Sequence, residues 1–411
     1  MNKKSIHLLL LITLTIFISC SQQQHQPESD PNPLLLISFD GFRYDYLSKA
    51  ETPNFDSLIA NGVKAEGLIP VFPTKTFPNH YAIVTGLYPE NSGFVGNTMY
   101  DPKWDEWYRM SDRSAVEAGK WYGGEPIWNT LEKQGLTTGT MFWVGSEADI
   151  QDMHPTYWKI YNGDMSEKAR IDTVIKWMTY PDDSAADFAT LYFELVDSQG
   201  HRYGTDSDEL KQAIKKADRL MGYLKDQMRQ AGLWDKTNII IVSDHGMINL
   251  SADKTIMLPD IIDMKNIERI IWGPTTMIQP KEGKIDEVYK ALKASENNYR
   301  VYRKENLPER YHLKNHRRVM DIIMVADLGY TILSKDYKER FLKSLPGATH
   351  GYDNNQKAMQ AIFIACGPAF KNGVKVDAFQ NIHIYELMNH LMRTTPAPND
   401  GSLDSVKVLL K

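Results

Sequence analysis

The chain contains several short, nearly continuous apolar runs that end at polar residues. Leu34–Phe39 ends at Asp40-Gly41, and Asn238–Val242 ends at Ser243-Asp244. Such a run is typical of a strand that is buried on both faces of an α/β sheet. The sequence therefore predicts these two strands and three more, at Thr190–Leu195, Ile322–Val325 and Ala361–Ala365.

Helical periodicity occupies the segments between these runs. From Asp208 to Gln230, apolar residues recur every three or four positions and charged residues fall on the opposite face. Gly232 follows as a helix stop signal. Because strands and helices alternate, we predict an α/β fold with a largely parallel central sheet.

Polar side chains that suit a binding site follow three of the predicted strands. They are Asp40, Asp197 and the pair Asp244-His245. In open α/β sheets, ligands bind outside the carboxyl ends of the strands. We therefore expect these side chains to converge, although they are about two hundred residues apart in the sequence.

Composition restricts the class of protein. The chain has 411 residues, of which 42% are hydrophobic and 24% charged, with two cysteines and a formal net charge of −5. These values are typical of a folded globular protein. Two cysteines exclude a disulfide framework and a Cys-rich zinc module. The acidic balance argues against duplex nucleic acid as a partner.

The amino terminus resembles a bacterial lipoprotein signal. Lys3 and Lys4 precede an apolar run that is too short to span a bilayer in the usual way, and Ser19-Cys20 follows it. Phe17 stands where leucine is usual, and a plain secretory signal or a membrane anchor is the alternative. We expect residues 1–19 to be a signal peptide, Cys20 to carry lipid, and residues 20–33 to be a flexible tether. The protein would then be exported to the periplasm or cell surface and anchored to a membrane, with Cys366 unpaired.

Six side chains near strand ends are candidate metal ligands. Carboxylates together with imidazoles suit zinc. Six ligands divide into two sets of three, as in two-metal phosphoryl-transfer sites with ions about 4 Å apart. The six are Asp40, Asp197, His201, Asp244, His245 and His350.

Thr76 is the candidate nucleophile. It stands before Phe77-Pro78, and Pro78 fits the first turn of a helix that runs to Thr85-Gly86. The N–H groups and dipole at a helix N-terminus favour a phosphate. Coordination to a divalent metal would lower the pKa of the threonine hydroxyl.

Each of these features has a simpler explanation when it is taken alone. Asp-Gly after a strand is often only a turn, and Thr-Phe-Pro can be a helix cap. The joint occurrence of the residue types that a dizinc site requires favours the functional interpretation. His80 and His154 are interpreted as structural or surface residues, and Lys75 as a solvated or supporting residue.

The candidate residues belong to motifs that run in order from Leu34 to Met392. They include Phe39-Asp40-Gly41-Phe42-Arg43, Pro73 to Tyr81, Thr85 to Glu90, Gly96 to Asp101, Phe142 to Ser146, Lys159 to Gly163, Asp197 to Gly204, Ser243 to Met247 and His350 to Asn354. In these motifs the sequence resembles the nucleotide pyrophosphatase/phosphodiesterase family of the alkaline phosphatase superfamily. The resemblance implies a three-layer α/β/α fold, and it implies hydrolysis of nucleotide diester or pyrophosphate bonds with release of a nucleoside monophosphate.

The resemblance also implies the role of each site residue. One zinc ion would be held by Asp197, His201 and His350. The second would be held by Asp40, Asp244, His245 and the Thr76 oxygen. Thr76 would form a phospho-threonine intermediate, and Asn97 would donate hydrogen bonds to a non-bridging phosphate oxygen together with a backbone N–H near Thr76.

Substrate recognition is implied for three aromatic residues. Phe77, Trp143 and Tyr161 occupy the positions that form a nucleobase slot in the family, although Trp143 can equally be a core residue. Glu147 stands where Asp is more familiar, and no proline immediately precedes Asp197. Both departures leave the preference for the leaving group open.

Other functions within the same superfamily stay open on the sequence. They are a phosphomonoesterase and a diesterase for glycerophosphodiesters or phospholipid headgroups. A non-catalytic binding lipoprotein would not need the complete Asp/His set and Thr76. Because the ligands run from Asp40 to His350, we predict one catalytic domain at residues 34–411 with a smaller insertion around 251–340.

Overall fold

The computed structural model describes residues 30–411. The predicted signal peptide, Cys20 and most of the tether lie outside these residues. Pro31–Lys411 form one compact unit. None of the helices within residues 30–411 combines the length and apolar character needed to cross a membrane.

The strands are numbered in chain order. They are β1 Leu34–Phe39, β2 Gly62–Ala65, β3 Leu68–Ile69, β4 Thr98–Asp101, β5 Glu106–Arg109, β6 Thr138–Met141, β7 Tyr157–Lys159, β8 Phe188–Phe193, β9 Asn238–Val242, β10 Ile248–Asn249, β11 Thr255–Met257, β12 Ile267–Ile271, β13 Thr275–Pro280, β14 Tyr299–Arg303, β15 Ile322–Ala326, β16 Thr331–Leu333, β17 Ala348–Thr349, β18 Phe363–Cys366, β19 Val374–Val376 and β20 Phe379–Gln380.

The α-helices are numbered in the same way. They are α1 Pro53–Ala60, α2 Thr76–Thr85, α3 Pro89–Ser92, α4 Arg113–Val116, α5 Ile127–Glu132, α6 Glu167–Met178, α7 Leu195–Tyr203, α8 Asp208–Gln230, α9 Ile285–Ala294, α10 Lys335–Lys343 and α11 His383–Leu391. Short 3₁₀ turns occupy Tyr46–Lys49, Gly119–Trp121, Asp182–Ser184, Leu258–Asp260, Met264–Asn266, Lys304–Asn306, Glu309–Tyr311, Lys357–Met359, Leu403–Ser405 and Lys407–Leu409.

The central sheet has the strand order β19-β2-β18-β9-β1-β8-β6-β7. Strand β1 pairs in parallel with β8 and with β9, and β6 pairs in parallel with β8 and β7. Strand β18 is antiparallel to both of its neighbours, β9 and β2. The sheet is therefore mixed and mostly parallel, which confirms the predicted α/β class.

Helices cover both faces of this sheet. Alternate residues of β1 enter two different cores, with Leu34 and Leu36 in one and Leu35 and Ile37 in the other. This alternation follows from the two-residue period of a strand. The first core contains side chains of α2, α5 and α11, and the second contains side chains of α1, α6 and α8. The result is a three-layer α/β/α arrangement.

Helix α8 has the bounds that the periodicity predicts. Ser207 caps its amino end, because the Ser207 hydroxyl accepts a hydrogen bond from the backbone N–H of Leu210 at 3.1 Å. Its apolar face is buried, and Gly232 follows the helix with φ of +65°. A left-handed conformation of this kind suits glycine, so the stop signal acts as expected.

One predicted strand lies in surroundings other than those expected. Strand β15, predicted for the α/β sheet, belongs instead to a separate antiparallel sheet with the order β12-β13-β15-β14. Ile322 and Met324 enter the core beneath this small sheet, while Ile323 and Val325 enter one of the central cores. Because both faces of β15 are buried, its sequence is a continuous apolar run, as is typical of a central parallel strand. The small sheet lies within the segment 251–340, and the limits given for the domain and insertion stay predictions.

Cys366 is the free cysteine of the described residues and is buried on β18, as predicted. Burial raises the pKa of its thiol to about 12, so the side chain behaves as a small apolar group.

Candidate dinuclear metal site

The candidate ligands lie at the carboxyl edge of the central sheet. Asp40 directly follows β1, and Asp244 and His245 follow the neighbouring strand β9 within three residues. Strand β8 ends earlier than predicted, at Phe193, so Asp197 and His201 lie on helix α7 rather than at a strand end. The backbone N–H of Asp197 donates to the carbonyl oxygen of Asp40 at 3.1 Å, which fixes α7 against the end of β1.

The structure brings the six candidate ligands together as two sets of three. In each set the potential ligand atoms all lie within 4.8 Å of one another. One set is Asp197, His201 and His350, which are partly exposed, and the other is the fully buried Asp40, Asp244 and His245. The rings of His245 and His350 stack at 3.5 Å, so the two sets adjoin each other.

The histidine rings are oriented for metal binding through Nε2. The Nδ1 atoms of His201, His350 and His245 lie 2.8, 2.8 and 3.0 Å from backbone carbonyl oxygens of Ala348, Thr74 and Gly246. A carbonyl oxygen only accepts, so each Nδ1 carries the hydrogen and donates it. The second nitrogen, Nε2, is then the one with a free lone pair, which is the arrangement that metal-binding histidines require.

Buried carboxylate oxygens give a second indication that a cation belongs here. Oδ1 of Asp40, Oδ1 of Asp197 and Oδ2 of Asp244 are buried and lack a hydrogen-bond partner among the described residues. Leaving such atoms unsatisfied is costly, whereas coordination to a divalent ion satisfies them. The donor set of carboxylate and imidazole fits zinc.

The electrostatics of the site agree with this interpretation. Burial, together with the charges of Asp244 and Asp197, raises the pKa of Asp40 well above its ordinary value. Burial also raises the pKa of Asp197. For Asp244, burial is outweighed by His245 and His80, which hold its pKa well below the usual range. Burial lowers the pKa of His245 and of His350, and the neutral imidazole is the form that binds metal.

Thr76 is the first residue of helix α2, as the sequence predicts. Its Oγ1 lies 3.3 Å from Nε2 of His245, and that same nitrogen lies 3.6 Å from Oδ1 of Asp40. The threonine hydroxyl therefore faces the buried ligand set. Helix α2 ends at Thr85, and Gly86 follows it with φ of +67°.

Asn97 contacts the same helix terminus. The backbone N–H of Phe77 donates to Oδ1 of Asn97 at 2.9 Å. This contact fixes the amide orientation, so the two hydrogens on Nδ2 are directed elsewhere and have no partner within residues 30–411. The N–H of Phe77 is occupied by Asn97, while the Nδ2 hydrogens of Asn97 stay available as donors.

A pocket of about 300 Å³ opens beside Thr76, and we call it the aromatic pocket. Its lining includes Asp40, Thr76, Phe77, Trp143, Tyr161 and Tyr192. Phe77 is partly buried against Phe94, and Tyr161 is 40% exposed.

Trp143 differs from the other two predicted aromatic residues. It is only 1% exposed, and its indole N–H donates to the carbonyl oxygen of His80 at 3.0 Å. Trp143 thus supports the wall of the pocket, while Phe77 and Tyr161 present accessible ring surface.

The unusual Glu147, and Glu194 three positions before the candidate ligand Asp197, are both paired. Glu147 lines the pocket and forms an ion pair with Arg113. Glu194 accepts two hydrogen bonds from the buried Arg170 at 2.6 and 2.9 Å. Neither carboxylate belongs to a ligand set.

Two residues near the ligands were not identified from the sequence. The Tyr192 hydroxyl donates to Oδ2 of Asp40 at 2.7 Å, which leaves Oδ1 for a metal. His80, interpreted as a structural or surface residue, is fully buried, and its Nδ1 lies 3.4 Å from Oδ2 of Asp244. His80 follows Thr76 by four residues on α2, and this spacing is a signal for a shared helix face. Tyr192 lies inside an apolar strand and carries no comparable signal.

Lys75 immediately precedes Thr76. Burial lowers the pKa of its ammonium group to about 8. His154 lies apart from the site, where its ring stacks on Trp158 at 4.7 Å. The structure therefore does not place His154 with the ligands.

Comparison with known proteins adds independent information. Residues 34–353 match the family model described as type I phosphodiesterase / nucleotide pyrophosphatase. The chain is 38% identical over 383 residues to human ectonucleotide pyrophosphatase/phosphodiesterase family member 5, covering 93% of this chain and 79% of that protein. It is also 38% identical to the bis(5'-adenosyl)-triphosphatase of Xenopus laevis, covering 92% of this chain and 81% of the relative.

Solved structures give the same result. The murine ectonucleotide pyrophosphatase/phosphodiesterase 5 superposes with a TM-score of 0.88 at 38% identity, covering 92% of this chain and all of the other. An inactive threonine-to-alanine form of that murine protein in complex with AMP superposes with a TM-score of 0.87. These likenesses confirm the fold that the sequence predicts.

Proposed function

The chain belongs to the type I phosphodiesterase/nucleotide pyrophosphatase family, and we propose on this premise that it cleaves nucleotide phosphodiester or pyrophosphate bonds at two zinc ions. As a member of this family it is a hydrolase. One observation carries the rest of the proposal: the Thr76 hydroxyl lies beside two adjoining sets of Asp and His ligands. The products would be a nucleoside monophosphate and the leaving group.

The ligand sets assign the metals to residues. Asp197, His201 and His350 would hold one ion, and Asp40, Asp244, His245 and Oγ1 of Thr76 would hold the other. When bound, the two ions would supply Lewis-acid chemistry, lowering the pKa of a hydroxyl group and neutralising phosphate charge. The hydrogen bonds from the histidine Nδ1 atoms and from Tyr192 hold the ligands in place.

Thr76 would carry the covalent step. Its Oγ1 attacks phosphorus, and the bond between phosphorus and the leaving-group oxygen breaks as the phospho-threonine bond forms. Water then attacks the same phosphorus, and the threonine oxygen departs with release of the monophosphate. The free amide hydrogens of Asn97 are positioned beside the helix terminus to donate to a non-bridging oxygen.

The aromatic pocket supports a nucleotide as the group transferred to Thr76. A flat base can stack on the accessible ring of Phe77 or Tyr161, which lie in the same pocket as Thr76. The AMP bound by the murine relative is consistent with this assignment.

The deciding experiment compares two nitrophenyl substrates. We expect the zinc-loaded protein to hydrolyse the nitrophenyl ester of thymidine monophosphate faster than nitrophenyl phosphate, and Thr76→Ala to lose activity. Thr179→Ala, at an exposed helix end, is the matched control and should retain it. A faster rate on nitrophenyl phosphate would favour a phosphomonoesterase, and full activity of Thr76→Ala would refute the nucleophile.

The metal content can be tested without an activity assay. We expect two zinc ions per chain by atomic absorption, and about one in His350→Ala. An unchanged zinc content in that variant would contradict the assignment of His350.

We further propose that the protein is exported and anchored to a membrane through lipid on Cys20, with residues 34–411 as one catalytic domain. The support is the basic, apolar and Ser-Cys pattern of the amino terminus. Labelled palmitate should enter the wild-type protein but not Cys20→Ser, and this variant should leave the membrane fraction. Equal labelling of both would refute the anchor.

A further inference from the structure

A cavity of about 360 Å³ lies at the opposite edge of the central sheet from the candidate metal ligands, and we call it the basic pocket. Its lining includes Ser57, Lys225, Arg229, Trp234, Thr237 and Ile239. Thr237 and Ile239 lie at the start of β9, whereas Asp244 and His245 follow the end of that strand. Because a strand rises about 3.3 Å per residue, these ligands lie more than about 15 Å from the pocket. The basic pocket is therefore separate from the site described above.

Two cations from helix α8 converge on one aromatic ring in this pocket. Nζ of Lys225 lies 5.5 Å from the centroid of the Trp234 ring, and the guanidinium carbon of Arg229 lies 5.9 Å from it. Lys225 and Arg229 are four positions apart, so they are neighbours on the same face of α8. Like charges at this spacing repel each other, and an anion bound between them removes the repulsion.

The two cations lack a compensating charge. Among the described residues neither of them forms an ion pair, and Asp235 in the pocket lining is not within ion-pair distance of them. Lys225 is partly buried, and its ammonium group lies 3.4 Å from Oγ of Ser57. Lys411 also lines the pocket, but its ammonium group donates to the carbonyl oxygen of Pro368 at 2.7 Å. The pocket thus keeps two uncompensated positive charges, which select an anion.

The surface beside the basic pocket carries further positive charge and an exposed apolar side chain. Lys236 is exposed, and Nζ of Lys371 donates to the carbonyl oxygen of Val408 at 3.0 Å. Val408 is 51% exposed. Its segment lies against the loop after β18, because the backbone N–H of Lys371 donates to the carbonyl oxygen of Leu409 at 3.1 Å. Basic groups around an apolar side chain suit the interface of an anionic membrane.

The amino-terminal segment enters the domain at this same edge. The backbone N–H of Asn238 donates to the carbonyl oxygen of Pro33 at 2.8 Å, and Leu34 of β1 pairs with Asn238. Asn238 stands between two residues that line the basic pocket. Adjacent strands are about 4.8 Å apart, so the chain enters the fold beside the pocket. Residues 21–33 separate this point from Cys20, and an extended chain of that length reaches at most about 45 Å.

We propose that the basic pocket binds the phosphate group of an anionic phospholipid through Lys225 and Arg229, with Trp234 at the level of the headgroups. The domain would then lie with the amino edge of its central sheet on the membrane that holds the anchor. The candidate metal ligands would face away from that membrane, where soluble nucleotides can reach them. This orientation rests on the proposed anchor and function, whereas the binding of phospholipid in the pocket does not.

The first experiment measures the binding of anchor-free protein to vesicles. It uses Pro31–Lys411, which form one compact unit, and vesicles of phosphatidylcholine with or without phosphatidylglycerol. We expect the protein to cosediment with the anionic vesicles and not with the neutral ones. Lys225→Gln and Arg229→Gln together should weaken this binding about thirtyfold, since each basic residue at an anionic surface contributes about fivefold.

The matched control removes two basic residues from the other edge of the sheet. Lys338 and Arg340 are exposed on α10. That helix borders the candidate ligand His201, because Tyr337 lines one cavity with it. Lys338→Gln and Arg340→Gln together should change vesicle binding less than about twofold. An equal loss in the two double variants, or failure of the wild-type unit to bind anionic vesicles, would overturn the proposal.

Free phosphate is the other source of the same chemical group. Calorimetry measures the binding of inorganic phosphate to the wild type and to the double variant of Lys225 and Arg229, and the difference isolates the pocket from the metal site. If the pocket binds inorganic phosphate while the protein ignores anionic vesicles, the lipid assignment is refuted. Should the double variant fail to fold by circular dichroism, Arg229→Gln, at an exposed position, should weaken vesicle binding about fivefold. An unchanged affinity in that variant also refutes the proposal.

Energy transfer to a labelled lipid tests the orientation in the lipidated full chain. A fluorophore attached through Lys236→Cys marks the amino edge of the sheet, and one attached through Lys338→Cys marks the other edge. We expect more efficient transfer from position 236. Equal or reversed efficiencies would refute the orientation even where the pocket binds vesicles. Absence of nucleotide hydrolysis would refute the proposed function and leave the vesicle result unaffected.

Discussion

Gly41 and Asp197 are in direct contact at the candidate metal site. A Cβ atom on Gly41 would lie 2.9 Å from both Cα and Cβ of Asp197, closer than two carbon atoms can approach without displacement. Gly41 also has φ of +65°, which residues with a side chain rarely adopt. The turn after β1 therefore determines how near α7 and its ligands come to Asp40.

Gly41→Ala should weaken zinc binding by displacing Asp197. We expect a loss of affinity of about tenfold, as for other changes to the groups that support metal ligands. Gly232→Ala is a matched control, because Gly232 has the same φ of +65° but no atom of residues 30–411 lies within 4 Å of its Cβ position. That variant should lose only about 1 kcal/mol of stability. Zinc competition with a chelator and urea unfolding measure the two effects, and equal zinc affinities in both variants would contradict the prediction.

Tyr192→Phe should also weaken zinc binding, without unfolding the protein. The lost hydroxyl donates to Oδ2 of Asp40 at 2.7 Å, and burial raises the Tyr192 pKa well above its ordinary value, so the group remains a donor. We expect zinc affinity to fall about tenfold. Tyr157→Phe removes an exposed hydroxyl bonded to the carbonyl oxygen of Ser184 and should leave zinc affinity unchanged. No difference between the two variants in a chelator competition would show that Tyr192 does not position Asp40.

Asp101 makes the stability of the fold depend on acid pH. It accepts hydrogen bonds from Arg317 and the buried Arg318, and these outweigh the effect of burial and lower its pKa to about 2. The unfolded chain has an ordinary Asp pKa of about 3.9. Between these two values the unfolded state binds more protons, so the stability that Asp101 contributes is fully present above about pH 5 and is lost as the pH falls through 4 toward 2.

Asp101→Asn tests this dependence. It leaves Arg318 buried without its charge partner, so we expect a loss of about 3 kcal/mol at pH 7. The variant should lose less stability than the wild type between pH 4 and pH 2. Asp404→Asn breaks an exposed pair with Lys407 and should change little. Urea unfolding over a pH series measures these slopes, and parallel curves for the wild type and Asp101→Asn would exclude the proposed linkage.

Phe77→Ala should raise KM for nucleotide substrates more than for small diesters. The ring lines the aromatic pocket next to Thr76 and is only partly buried. Loss of base stacking predicts an increase of about tenfold for the nitrophenyl ester of thymidine monophosphate relative to bis-nitrophenyl phosphate. Phe379→Ala, at a partly buried position on β20, is the control. An equal increase in KM for both substrates would remove the stacking role.

Several elements could be predicted because their signals are local. Helix α8 has a cap, an apolar stripe and a glycine stop within one segment, and the structure gives it the predicted bounds. Strands β1 and β9 were identified from buried runs that end at polar residues. In contrast, β15 has the same kind of run but belongs to another sheet, because burial on both faces does not specify the pairing partner.

The sequence by itself determined the fold class and the set of candidate side chains, since Asp40, Asp244 and His245 follow buried strands and Thr76 begins a helix. Tertiary structure decided how these groups are used. The packing places the candidate ligands in two adjoining sets and lets the Tyr192 hydroxyl donate to Asp40. It also buries Trp143 and leaves Tyr161 accessible. These outcomes depend on distances between residues that are far apart in the chain, and such distances are set only when the layers pack.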